Sequence, residues 1–317
     1  MKSVSIGISS AASWAWGTSL IVGMQILRQK GFESWLIWAV ANSLTLALLG
    51  FLYGRGLLGR QVFDSKPVKY AAILIQCFCL TIQMNIIYQV LGDILHLGHC
   101  IKYITASSIG IFFTLLMYKR GLITSILTDI GQFIITIFSI LAILLIGAYT
   151  NVPNEPIPVS TDSDILWGIW SACILLSGPI GDIQHWQRVE LENGVKGYYL
   201  GAMFFGIYMG LIGLMSMFQF NTAMNTILLI AVLCVTTSTI DSIAVALHEV
   251  SNKKMGTLVS VLICILWGVF VEIGVLTLWS YAGIYRVGFA LCIIFLALYK
   301  AFLYKKQKHG DVHYGKI

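Results

Sequence analysis

The chain has 317 residues, 58% of them hydrophobic and only 11% charged, with a mean hydropathy of +0.84 and a formal net charge of +6. That composition excludes an ordinary soluble domain and describes an all-α polytopic membrane protein. The positive balance follows the loops and implies no nucleic-acid partner.

Spans of about 20 apolar residues fall near 3–27, 33–54, 68–95, 99–118, 121–149, 163–186, 196–218, 221–249, 256–274 and 279–303. The first runs on as a polar-flecked helix without a small-residue cleavage site, so no cleavable signal peptide is expected. An even count of ten puts both termini on one side. Assigned in that alternation, sixteen Lys and Arg face one side; only Arg28, Lys30, Lys102 and Arg286 face the other. The positive-inside rule then predicts cytoplasmic termini in a cell inner (plasma) membrane.

Span 1 is dense in small and polar residues, with Gly7, Ser9, Ser10, Ser13, Gly17, Thr18 and Ser19. Span 5 carries Asp129. The Pro-rich acidic connection 151–164 divides the chain into a first five-helix repeat, 1–150, and a second, 165–304, followed by a tail, 305–317. Five is odd, so the second half enters the membrane inverted, which is the plan of many secondary transporters. Span 6 contains Ser177-Gly-Pro-Ile-Gly-Asp182, where lost backbone donors predict a kink or unwinding. The expected fold is thus a 5+5 inverted repeat with broken helices 1 and 6.

Span 8 contains Thr236-Thr-Ser-Thr-Ile-Asp-Ser242, five hydroxyls and a carboxylate inside an apolar run. Ionisable groups at such depth face a cavity or an ion path. Helical rise puts Asp129 roughly 12 Å from the cytoplasmic surface, Asp241 roughly 13 Å, Ser238 and Thr239 roughly 17 Å, and Ala12 and Ala15 at roughly 14–18 Å. Three helices therefore place oxygen donors in one slab, a donor set suited to a hard monovalent cation. Asp129 and Asp241, if adjacent, need a cation or a proton between them. The seven Cys lack metal-ligand spacing and no nucleophile–base pair is apparent, so neither an enzyme nor a zinc or copper site is expected. The candidate solute-binding residues are Trp14, Trp16, Thr18, Gln76, Gln83, Trp170 and Ser171. No Lys or Arg is expected at mid-membrane, which favours a neutral or zwitterionic solute. His96, His99, His185 and His248 read as solvated histidines at helix ends.

Several motifs resemble the sodium:solute symporter family. Thr128-Asp129-x-x-Gln132 in span 5 looks like that family's signature, and Trp186-Gln187-Arg188 is similar to its motif after helix 6. Ser238-Thr239 matches its paired-hydroxyl motif, and Ala12-Ser-Trp-Ala-Trp16…Gly31 looks like the first core helix of its urea-transporter-like branch. The resemblance implies the leucine-transporter fold. It also implies a sodium site at Ala12, Ala15, Val235, Ser238 and Thr239, and a second cation or proton site at Asp129 with Ser238 and Ser242, where Asp241 adds a charge. The function so read is sodium-coupled symport of a small polar solute. Proton coupling through Asp129 and Asp241 is a second reading. A non-transporting sensor or partner subunit built on the same core, with another membrane subunit or a homo-oligomer as partner, is a third.

Overall fold

The computed structural model describes residues 1–59, 65–150 and 155–310, with side chains through 299. Among them the structure is helical, with no strand. Apolar runs leave their backbone nowhere to hydrogen-bond except within the segment, so helices are the outcome. The elements are α1 (Ser3–Trp14), α2 (Gly17–Gly54), α3 (Lys66–Leu95), α4 (His99–Thr150), α5 (Asp162–Gly181), α6 (Ile183–Val189), α7 (Gly194–Met215), α8 (Thr222–Val250), α9 (Lys253–Leu266) with a 3-10 turn (Trp267–Phe270), and α10 (Val275–Gly310). Eight helical stretches among the described residues are long and apolar enough to cross a membrane.

Two of these helices are too long for one crossing. At 1.5 Å per residue the 52 residues of α4 would reach about 78 Å, against a hydrocarbon core of about 30 Å. Both double back at a glycine of positive φ, Gly31 in α2 (φ 82°) and Gly121 in α4 (φ 72°). Trp38 packs on Gly23, fifteen residues earlier in the same helix, which a straight α2 forbids. In α4, Ser107 and Gly110 meet Trp267 and Cys264, whereas Ser125 and Asp129 meet Ser242 and Ser238. Because α8 and α9 form a hairpin closed by His248 on Thr257, the two arms of α4 lie along its two legs.

The chain breaks twice more, and both breaks are buried. Between α1 and α2, Ala15 (φ −75°, ψ 61°) forms an inverse γ-turn, with the Trp16 amide donating to the Trp14 carbonyl at 2.8 Å. Between α5 and α6, Asp182 is extended (φ −108°, ψ 105°) and caps α6 through the Gln184 amide. The second break comes three residues after Pro179, which stays inside α5. Proline cannot donate to the Leu175 carbonyl one turn back, and the Thr45 hydroxyl of α2 donates to it instead at 2.8 Å.

Small residues let these elements close up. Gly7 of α1 lies against the Gly197 carbonyl of α7, and Gly178 of α5 lies against the Trp14 ring. The expected connection 151–164 is described only from residue 155. There 156–160 is non-helical and anchored by Ser160, whose hydroxyl donates to the Lys30 carbonyl at 2.6 Å. Residues 151–154 and 311–317, and with them part of the expected linker and tail, lie outside the described residues, as does Arg60.

Candidate functional site

Three other elements converge on Asp129 of α4. Its Oδ2 accepts from the Ser9 hydroxyl of α1 at 2.6 Å and from Arg188 Nη2 of α6 at 2.8 Å; its Oδ1 accepts from the Ser238 hydroxyl of α8 at 2.6 Å. Asp129, Arg188, Ser9 and Ser238 are all 0% exposed. The guanidinium also donates through Nε to Ser9 at 2.9 Å, through Nη1 to the Gln184 carbonyl at 2.7 Å and through Nη2 to Ser242 at 2.8 Å. One turn nearer the α8 C-terminus, Asp241 accepts from Thr128 at 2.7 Å and from Ser125 at 3.1 Å. Ser242 donates to it at 3.3 Å.

Asp129, Asp241 and Ser242 are therefore neighbours, as their depths along the helices predict. The sequence reading missed Arg188, which it left in a cytoplasmic loop after span 6. Burying a lone guanidinium is prohibitive, whereas burying one against a carboxylate and the hydroxyls of Ser9, Ser125 and Ser242 is feasible. The hydroxyl-and-carboxylate cluster itself was the available signal: an anion that deep requires a counter-charge. Two carboxylates face a single guanidinium here, so the second requires a proton or a cation.

Around the first break, Ala12 and Ala15 are buried at the end of α1, and the Ala15 amide donates to the Ala11 and Ala12 carbonyls. Gly17, just past the break, packs on the Thr236 hydroxyl of α8. Along α8, Thr236, Thr237 and Thr239 each donate back to a carbonyl four residues earlier, Thr239 to Val235 at 3.0 Å. Ser238 instead reaches across to Asp129. A hydroxyl that donates its proton, to its own helix or across to Asp129, keeps its lone pairs, so Thr239 and Ser238 remain competent cation ligands.

A second buried cluster joins the other break to α3 and α10. Asp182 Oδ1 accepts from Gln76 Nε2 and Oδ2 from Gln184 Nε2, each at 2.7 Å, and Arg286 Nη2 stands 3.7 Å from Oδ2. The Arg286 guanidinium lies over the Trp16 ring, 4.2 Å from its centroid, and is 3% exposed. Arg188 and Arg286 are both buried among the helices, although no Lys or Arg was expected at mid-membrane. Carboxylates on the broken α5–α6 segment and on α4 supply the partners that hydropathy counting ignores.

The solute candidates separate. Trp14, Trp16, Thr18, Gln76, Gln83 and Ser171 are buried. Trp14 donates through Nε1 to Asn42 Oδ1 at 2.8 Å and stands edge-on to His185. Trp170, in contrast, is 45% exposed and drops out of the site. Adjacent helical residues point about 100° apart, so the packed face of α5 with Gly168, Ser171 and Ile174 turns Trp170 outward. His185 is likewise corrected: it is fully buried, and its ring meets Tyr198. The Tyr198 hydroxyl donates to the His185 carbonyl at 2.6 Å, so His185 Nδ1 must be the donor in its 3.1 Å contact with that oxygen.

No family model and no curated protein matches this chain.

Proposed function

We propose that the protein is a secondary transporter that carries a small net-neutral or zwitterionic polar solute, with sodium as the coupling ion, by alternating access in the cell inner membrane. Ten segments span the bilayer in this reading, Gly31 and Gly121 are tight turns at its surfaces, and the five-helix halves are inverted repeats with cytoplasmic termini. Sodium sits at the break after α1, on carbonyls near Ala12, Ala15 and Val235 and on the Ser238 and Thr239 hydroxyls. It ties α8 to the broken helix and favours one access state, because an ion shifts a conformational equilibrium only by its differential affinity.

The observation that carries the reading is the junction of Ser9, Asp129 and Ser238, three buried oxygen groups from three helices, the first of which breaks six residues after Ser9. Interrupted helices are tolerated in a membrane where they line a site. In a thermal-shift titration of the purified protein, sodium should stabilise where choline does not, by about 1.4 kcal/mol at ten times its dissociation constant. The double variant Ser238→Ala with Thr239→Ala should lose that stabilisation; an unchanged sodium effect would end the assignment.

Proton coupling is the second reading, favoured by the uncompensated carboxylate. It requires uptake that follows pH, ignores sodium, and disappears in Asp241→Asn.

A further inference from the structure

The buried cluster at the second helix break is short of partners in a directional way. A carboxylate only accepts hydrogen bonds, so Gln76 and Gln184 must both turn their amide nitrogens to Asp182. Their carbonyl oxygens then point elsewhere. Gln76 Oε1, Gln184 Oε1 and Arg286 Nε are buried and have no hydrogen-bond partner among the described residues. Gln83 is more extreme: it is 0% exposed, and neither its nitrogen nor its oxygen is partnered. A buried polar group left without a partner is destabilising, so each of these calls for one.

These groups follow one stripe of α3. Gln76, Cys79 and Gln83 share a helix face, and Arg286 Nη2 lies against Cys79 between the two glutamines. Gln83 stands about 6 Å further along the axis than Cys79. At Ile86, three residues beyond Gln83, a cavity of about 180 Å³ begins, lined also by Ile21, Gln25, Gln89 and Asp93. Trp16, from the other broken helix, closes the opposite side under the guanidinium. Two interrupted helices and a polar stripe thus meet at the groups whose hydrogen bonds are missing, and the cavity opens one turn further along α3.

The unmet groups define what would satisfy them. Arg286 and Asp182 cancel in charge, so a net charge on the ligand would be left uncompensated in a buried site. Arg286 Nε calls for an acceptor, the Gln76 and Gln184 carbonyls call for N–H donors, and the Gln83 amide calls for one of each. We infer that Gln76, Gln83, Gln184 and Arg286 form the solute site, and that it takes a small net-neutral molecule with a carbonyl or carboxylate oxygen beside N–H donors. This inference rests on the transport reading for its purpose, but equilibrium binding without any ion gradient tests it separately.

The test is a thermal-shift titration of the full-length protein in detergent, without sodium, with acetamide, glycine, acetate, methylammonium and N,N-dimethylacetamide as probes. Acetamide or glycine should raise Tm by about 3 °C at ten times its dissociation constant. Acetate and methylammonium carry a net charge and dimethylacetamide has no N–H donor, so these three should leave Tm unchanged. Gln83→Met removes only an unpartnered amide; it should fold at least as stably as the parent and lose the shift. Arg286→Lys keeps the charge without the planar fork and should also lose it, which keeps the test readable if one variant folds poorly. The inference is overturned if neither neutral probe stabilises, if acetate or dimethylacetamide stabilises equally, or if Gln83→Met responds like the parent. Failure of sodium-driven uptake alongside a positive binding result would remove the transport reading and leave the site standing.

Discussion

Asp129 and Arg188 form the most heavily bonded contact in the interior, and each is affordable only because of the other. Replacing one should leave a buried uncompensated charge, a loss of roughly 3–5 kcal/mol. Asp129→Leu and Arg188→Met should each lower the unfolding free energy by that order, while the double variant should recover much of it. Additive losses in a double-mutant cycle would show that the pair is not coupled. Asp129, Asp241 and Ser238 were legible in the sequence because a carboxylate or a run of hydroxyls inside an apolar segment is costly wherever the helix lies. Arg188 was not, because its place depends on a chain break and on partners from three other helices. Asp182 was read only as the end of a kink, and Arg286 was counted in a loop although it falls within span 10. Trp170 and Ser171 show the limit from the other side: neighbours in sequence, they differ by one helical step, and packing alone chose which faced inward.

At the scale of the element, the breaks carry the information. The Gly-Pro-Ile-Gly-Asp run predicted an interruption, and one occurs, but at Asp182 instead of Pro179. Pro179 does free the Leu175 carbonyl; Thr45 satisfies it from α2. Thr45→Val should therefore cost on the order of 1–3 kcal/mol in the parent protein. The same change should cost less in a Pro179→Ala background, where an N–H is restored to that carbonyl; equal costs in both backgrounds would refute the account. The turn glycines differ in the same spirit. Both combine positive φ with extended ψ, a region that alone costs an alanine on the order of 1–3 kcal/mol. At Gly31 a Cβ would also run into the Pro158 carbonyl and Ser160, whereas at Gly121 nothing lies within 4 Å. Gly31→Ala should thus lower Tm markedly more than Gly121→Ala.

Across the whole molecule, the short α6 and the break before it link α10 to α4. Asp182 faces Arg286 of α10, and six residues later Arg188 faces Asp129 of α4. The segment is thus tethered at each end by a buried ion pair. The doubling back at Gly31 and Gly121 gives the proposed topology a direct check. Cys100, exposed at the start of α4, should react with a membrane-impermeant maleimide added outside intact cells, whereas a cysteine replacing Lys253 should react only after permeabilisation. Labelling of both from the same side would reject the proposed arrangement.

The residue pattern alone was enough to establish a helical, membrane-embedded chain, to locate its apolar runs and to mark oxygen-rich levels within them, because hydrocarbon penalises every unpaired polar group irrespective of its neighbours. Which of those groups pair was decided only when the helices packed. Ion pairs and hydrogen bonds depend on distances of a few ångströms between residues more than a hundred positions apart, and no local pattern records those distances.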